Sequence, residues 1–220
     1  MIKISFAILV KDEIAEIKKL ISLLVQYKQK NSEIIVVQDI SETTENTKLV
    51  KDFLINEALT SNIDGFFHYE FKNNFADIKN FLNSKCSGNY IFNIDADEIV
   101  APHLLMNIYD IIAFNLDVDL FWIPRVNIVN GLTDVHILKW GWVMTKLDQF
   151  ERHAVNWPDY QGRLFKNKEE IKWTRPVHEV INGHNSHVFL PQNPDYALVH
   201  VKDIERQEKQ NEHYSEINSG

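Results

Sequence analysis

From residue 2 to about residue 114 the chain alternates between two hydrophobic periodicities, and this restricts the fold more than any other feature. Ile2, Ile4, Phe6, Ile8 and Val10 recur at every second position, the period of a strand. Ile14, Ile17, Leu20, Ile21 and Leu24 then recur at helical spacing, to about Lys28. Ile34–Val37 is a short apolar run ending at Asp39, and residues 44–59 carry Leu49, Val50, Phe53 and Leu54 on a helical face. Residues 66–71 read as a strand, and 75–86 as a helix closed by Gly88 at a C-cap position. Tyr90–Ile94 is another strand, and Pro102 opens a helix running to about Phe114. Residues 120–129 form a further strand, broken by Pro124. Repeated strand–helix–strand units predict an α/β fold with a mostly parallel central sheet flanked by helices. Ligands of such sheets sit beyond the carboxyl ends of the strands, where strand order reverses. Val10-Lys11-Asp12-Glu13, Asp39 and Asp95-Ala96-Asp97 all fall at such ends.

The pattern changes after about residue 130. Residues 131–160 are rich in tryptophan and histidine (His136, Trp140, Trp142, His153, Trp157) and read as a loop or binding surface. Short strands are expected at Arg163–Phe165 and 197–201, and a charged helix over 203–217. No repeat or linker appears, so residues 1–220 are expected to form one domain. With 23 Lys and Arg against 31 Asp and Glu, the net charge of −8 argues against general nucleic-acid binding, which needs a basic face. Cys86 is the only cysteine, so neither an intrachain disulfide nor a cysteine-rich zinc site can form. No apolar run approaches the roughly 18 residues of a spanning helix, and the N-terminus does not read as a signal peptide. The expected location is cytoplasmic, either free or peripheral to a membrane. The oligomeric state is not legible.

Asn93-Ile94-Asp95-Ala96-Asp97-Glu98 carries the most chemical information. Three carboxylates in four residues directly after an apolar strand are costly unless they are solvated or bind a cation. Asp95 and Asp97, spaced i and i+2, offer hard oxygen ligands to Mn²⁺ or Mg²⁺, ions that keep open positions for substrate phosphates. A solvated turn with acids at a helix start is the structural alternative.

This segment resembles the D-x-D stretch of family 2 glycosyltransferases with the GT-A, Rossmann-like fold. Phe6–Glu13 is similar to the family's opening strand, with Asp12 where Asn is usual, and Glu33–Asp39 to its second strand. Phe75–Asn80 and Gly88–Phe92 resemble the helix and strand that lead into the D-x-D. Asp159–Phe165 and Val177-His178-Glu179 are similar to segments of one bacterial and phage-like subset. The loop after Asp39, Ile40-Ser41-Glu42-Thr43-Thr44, departs from the Ser/Gly-rich family pattern.

The resemblance implies transfer of a sugar from a nucleotide-sugar donor to a hydroxyl of a glycan or glycoconjugate acceptor, with inversion. Residues 1–100 would hold the donor and 101–220 the acceptor. Val10, Glu13, Asp39, Lys79, Asp95, Ala96, Asp97, Lys202 and Arg206 would line the nucleotide-sugar site. Asp39 would read uracil, favouring a UDP-sugar. Asp97, Asp95 and His200 would hold Mn²⁺ or Mg²⁺. Glu179 or Asp159 would be the catalytic base, with Glu179 preferred; a turn cap at Asp159 or an ion pair at Glu179 is the alternative for each. His178, His184, His187 and His200 are the one set suggesting zinc. A nucleotidyltransferase would share the acidic sheet edge but normally has a glycine-rich loop after the first strand, and Val10–Glu13 contains no glycine. A non-catalytic glycan- or nucleotide-binding module of the same fold is the other reading.

Overall fold

The computed structural model describes residues 2–209 and 211. The elements run β1 (Ile4–Val10), α1 (Ile14–Tyr27), β2 (Glu33–Asp39), α2 (Glu45–Leu59), β3 (Gly65–Tyr69), α3 (Phe75–Asn83), β4 (Tyr90–Asp95), β5 (Glu98–Val100) and α4 (Pro102–Ala113). They continue with β6 (Leu120–Ile123), β7 (Arg125–Asn130), α5 (Asp134–Trp140), β8 (Met144–Thr145), β9 (Ala154–Val155), β10 (Gln161–Lys166), β11 (Lys172–Thr174), β12 (Val180–Asn182), β13 (His187–Phe189) and β14 (Leu198–Asp203). Residues 204–209 are helical, and the remainder of the charged segment expected at 203–217 lies outside the described residues, Asn211 excepted.

Seven strands form the main sheet in the order β13-β6-β10-β4-β1-β2-β3. Only β10 runs antiparallel to its neighbours, so the sheet is mixed but mostly parallel. A parallel strand buried on both faces has no reason to alternate, and all seven residues of β2 are buried. One face packs on α1, α2 and α4 through residues such as Leu20, Val50 and Leu104. The other packs on α3 and the β11–β12 hairpin through Ala76, Leu82, Trp173 and Ile181. A second sheet, β5-β14-β7-β9-β8, stands beside it.

Pro124 has a larger effect than the sequence suggested. It has no amide to donate, and the run through it divides into β6 in the main sheet and β7 in the second. The Trp/His-rich segment also holds more order than a loop, with α5 capped by Gly141 at φ 63° and the short β8–β9 ladder. Gly88 is not a helix cap, because α3 ends at Ser84. It is a packing site instead: a Cβ there would lie 2.7 Å from the Ser5 backbone nitrogen.

Glu33 begins β2 and ties three segments together. Its carboxylate accepts from Ser5 Oγ (2.5 Å), Ser87 N (2.6 Å) and Ser87 Oγ (2.7 Å), and pairs with Lys3 Nζ at 2.9 Å. Burial alone would raise this carboxyl, but the donors outweigh it and hold the pKa at about 2, below the ordinary 4.5. A depressed folded-state pKa contributes stability that is complete above the unfolded value and lost as pH falls towards the folded one. Glu33→Ala should therefore cost on the order of 2–3 kcal/mol at neutral pH. In urea titrations the gap between variant and wild type should close as pH falls from 4.5 towards about 2.

Candidate active site

The order of the main sheet reverses at β1, which hydrogen-bonds β2 on one side and β4 on the other. A cleft of about 960 Å³ opens at the carboxyl ends of these strands. Val10, Glu13, Asp39, Lys79, Asp95, Ala96, Asp97, Lys202 and Arg206 all line it, as do His200, Asp159 and Glu179. Residues separated by almost the whole chain are thus brought to one surface.

Asp39 closes β2 and is 7% exposed. Its carboxylate accepts from the backbone N–H of Ser41 (2.8 Å) and Phe71 (3.2 Å) and from Ser41 Oγ (3.1 Å). The turn-capping role open to it in the sequence is therefore present. Glu13 accepts from the Lys11 amide at 2.8 Å and from Arg206 Nη2 at 2.7 Å. Burial pushes its carboxyl up, against the pull of the Lys11 amide.

Asp95 and Asp97 part company. Asp97 points to β14: its Oδ2 lies 3.1 Å from His200 Nε2 and 3.2 Å from Arg206 Nη2. Burial would raise its pKa, but the His200 hydrogen bond and charge bring it down to about 2. The juxtaposition exists because β14 pairs with β5, with His200 opposite Glu98, and with β7, with His200 opposite Asn127. Asn127 Oδ1 faces the other ring nitrogen of His200 at 3.2 Å. Asp95 turns the opposite way, to Arg163 Nη2 (2.6 Å) and Lys79 Nζ (3.5 Å). Those cations hold its carboxyl far below the usual range despite burial. His200 therefore meets Asp97, while Asp95 is drawn away from that pair. Among the described residues no three His, Cys, Asp or Glu side chains form a group able to hold a metal ion. The zinc set is likewise not assembled: His184 and His187 touch edge to face at 5.7 Å, while His200 faces Asp97.

An ionic chain joins the cleft wall to Glu98 beneath it. Glu98, 1% exposed, accepts from Arg163 Nη2 (2.8 Å) and Arg125 Nη1 (3.1 Å). Arg125 also donates to Asp159 Oδ2 through Nη2 at 2.6 Å. Asp159 accepts further from Asn127 and Gln161, both at 2.8 Å. Burial would raise the Asp159 carboxyl, but Arg125 and these donors pull it down. Glu98, the third acid of the strand-end triplet, and Arg163, within the Asp159–Phe165 segment, are the available signals; Arg125 carries none.

In the cleft wall, Lys79 is 4% exposed and donates to Glu179 Oε1 at 2.6 Å. Its ammonium also lies 4.6 Å from the centre of the Trp173 ring. Lys79 thus bridges Glu179 and Asp95. Lys202 has its pKa brought down to about 8, chiefly by burial.

A family model described as Glycosyl transferase family 2 matches residues 5–172. No curated protein matches the chain. Among solved structures, TarS 1–349 of S. aureus in complex with UDP-GlcNAc superposes with a TM-score of 0.58 at 14% identity, over 91% of this chain and 58% of that one. TarS 1–349 without ligand in its description gives 0.58 at 13%, over 98% and 63%. TarS itself gives 0.56 at 13%, over 99% and 38%. The chain spans less than two thirds of the length of each.

Proposed function

The chain belongs to glycosyl transferase family 2, and from that membership we propose that it moves a sugar from a UDP-sugar to an acceptor hydroxyl, inverting the anomeric centre with the aid of Mn²⁺ or Mg²⁺. The observation that carries this reading is the meeting of Asp97, His200 and Arg206 at the point where strand order reverses. A carboxylate and an imidazole suit Mn²⁺ as two protein ligands, and the remaining positions are left to water and phosphate oxygens. The charge balance of the cleft favours a cation. Its walls carry seven Asp and Glu against six Lys and Arg, and Glu98 beneath adds an eighth carboxylate, so carboxylates outnumber Lys and Arg by two. A bare diphosphate entering such a field is repelled, and a divalent ion removes the excess.

When bound, the ion would neutralise charge building on the leaving diphosphate. Arg206 and Lys202, both at the cleft, are suited to grip the phosphates. Asp39 retains acceptor capacity at Oδ2 for a pyrimidine N–H. TarS, of the same fold, is described with UDP-GlcNAc, in keeping with a uridine donor. Glu179 takes the proton of the acceptor hydroxyl, while the strand-end acid Asp95 is occupied by Arg163. The family match leaves no support for a nucleotidyltransferase. No helix among the described residues is long and apolar enough to cross a membrane.

Calorimetric titration with UDP, GDP and CDP, with and without Mn²⁺, tests the reading. UDP should bind tightest, and only with the metal present. Asp97→Asn should weaken UDP by tenfold or more, about 1.4 kcal/mol, with the melting temperature preserved. Unchanged UDP affinity in that variant removes Asp97 from the metal site, and preference for GDP or CDP removes the uridine assignment.

A further inference from the structure

Outside the donor end, the cleft runs onto a row of aromatic rings that the chemistry above does not use. β13 pairs only with β6, at the outer edge of the main sheet. The register sets Phe189 opposite Trp122 and His187 opposite Leu120, so Phe189 and Trp122 share a face. Their rings lie nearly parallel, 13° apart, with centroids at 5.8 Å. Gly162 of β10 stands opposite Trp122 on the other side, and the nearest atom to a Cβ placed there is at 3.4 Å, shared by Leu120 and the Trp122 ring. A side chain at position 162 would lie against the edge of the indole, and glycine leaves that edge uncovered.

Tyr160 forms a lip. Its hydroxyl donates to Leu190 O at 2.9 Å, and its ring stands at 80° to Phe189, 4.9 Å away. Trp122, Tyr160, Gly162, Gln161 and Asp159 all line the cleft, and Phe189 continues the row outward at 51% exposure. A half-exposed aromatic ring next to a cleft marks a binding surface more often than a packing fault.

Resting on the reading of the cleft as a glycosyltransferase site, we propose that Trp122, Phe189 and Tyr160 form an acceptor subsite that takes a neutral pyranose ring, so that the acceptor is an oligosaccharide extending past the reacting residue. One face of a pyranose presents C–H bonds of partial positive charge, which meet the negative face of an aromatic ring. Its rim presents hydroxyls, and the shelf supplies Gln161, Asp159 and His187 at its borders. A lipid chain offers nothing to those polar borders. The subsite adjoins Asp159 in the cleft wall, and none of its three rings hydrogen-bonds or ion-pairs with Asp97 or Asp39.

The test uses the full chain on an array of glucose-, galactose-, mannose- and N-acetylhexosamine-containing mono- to tetrasaccharides, beside UDP titration. At least one trisaccharide should bind about tenfold or more tightly than its monosaccharide. Phe189→Ala should abolish that gain, Phe189→Trp should keep it, and UDP affinity should be unchanged in both. A chain that binds UDP but no oligosaccharide, or a Phe189→Ala variant that keeps the trisaccharide gain, overturns the proposal. Loss of self-association in Phe189→Ala with saccharide binding intact overturns it too, making the shelf a contact between copies. Failure of wild type to bind any nucleotide strikes the donor reading instead, and the array result still decides the shelf.

Discussion

Glu179→Gln is expected to leave UDP affinity within about twofold of wild type and to lower sugar transfer on the order of 10²–10⁴-fold, the usual contribution of a general base. The amide keeps the shape of the carboxylate and can still accept from Lys79, now 2.6 Å away, so the fold should survive. What it cannot do is take a proton. Asp159, the competing base, is engaged by Arg125, Asn127 and Gln161 through four hydrogen bonds and is held as a structural anion. Burial would raise the Glu179 carboxyl, but Lys79 pulls it below the ordinary 4.5. A base must be unprotonated to act, so the acid limb of kcat/KM assigned to it should lie below 4.5, with no loss through neutral pH. Steady-state rates and pH profiles for Glu179→Gln and Asp159→Asn decide the matter. Near wild-type transfer by the first variant and loss by the second would exchange the roles.

Arg163→Met is expected to destabilise the protein by about 3–5 kcal/mol, the cost of leaving buried charge uncompensated. Arg163 is 3% exposed and holds Asp95 and Glu98 from a single nitrogen, Nη2. Its Nε and Nη1 have no hydrogen-bond partner among the described residues. The side chain is therefore kept for the two acids rather than for its own satisfaction. Burial would lower its pKa, yet Asp95 and Glu98 raise it, so it stays charged. Removing it leaves Glu98 with Arg125 alone and Asp95 with the more distant Lys79. Urea denaturation measures the loss directly. A variant within 1 kcal/mol of wild type would mean that the acids find solvent or protons at little cost.

The parts of this architecture that could be read in the sequence are those set by local periodicity. β1, α1, β2, α2, β4 and α4 all fall within a few residues of where their hydrophobic spacing puts them. Strands of two or three residues, such as β5, β8 and β9, have no period to detect and exist because a neighbour pairs with them. The same limit applies to the site. Asp97 and His200 were individually visible, at a strand end and near a late strand, but their contact depends on β14 returning between β5 and β7. Arg125 has no local signature, since an arginine facing a buried acid looks in sequence like any arginine facing water; Arg163 is visible only within the Asp159–Phe165 resemblance, which does not name its partners. Spacing and the D-x-D resemblance group Asp95 with Asp97, whereas Arg163 and Lys79 draw it to the opposite side.

Pro124 divides one stretch of backbone between two sheets, with Trp122 on one side and Arg125 on the other. The rings beside the cleft and the guanidinium joining Glu98 to Asp159 are therefore three residues apart on a single short tether. That link carries Trp122 at the cleft together with the Arg125 pairs to Glu98 and Asp159, so a shift of one is passed to the other.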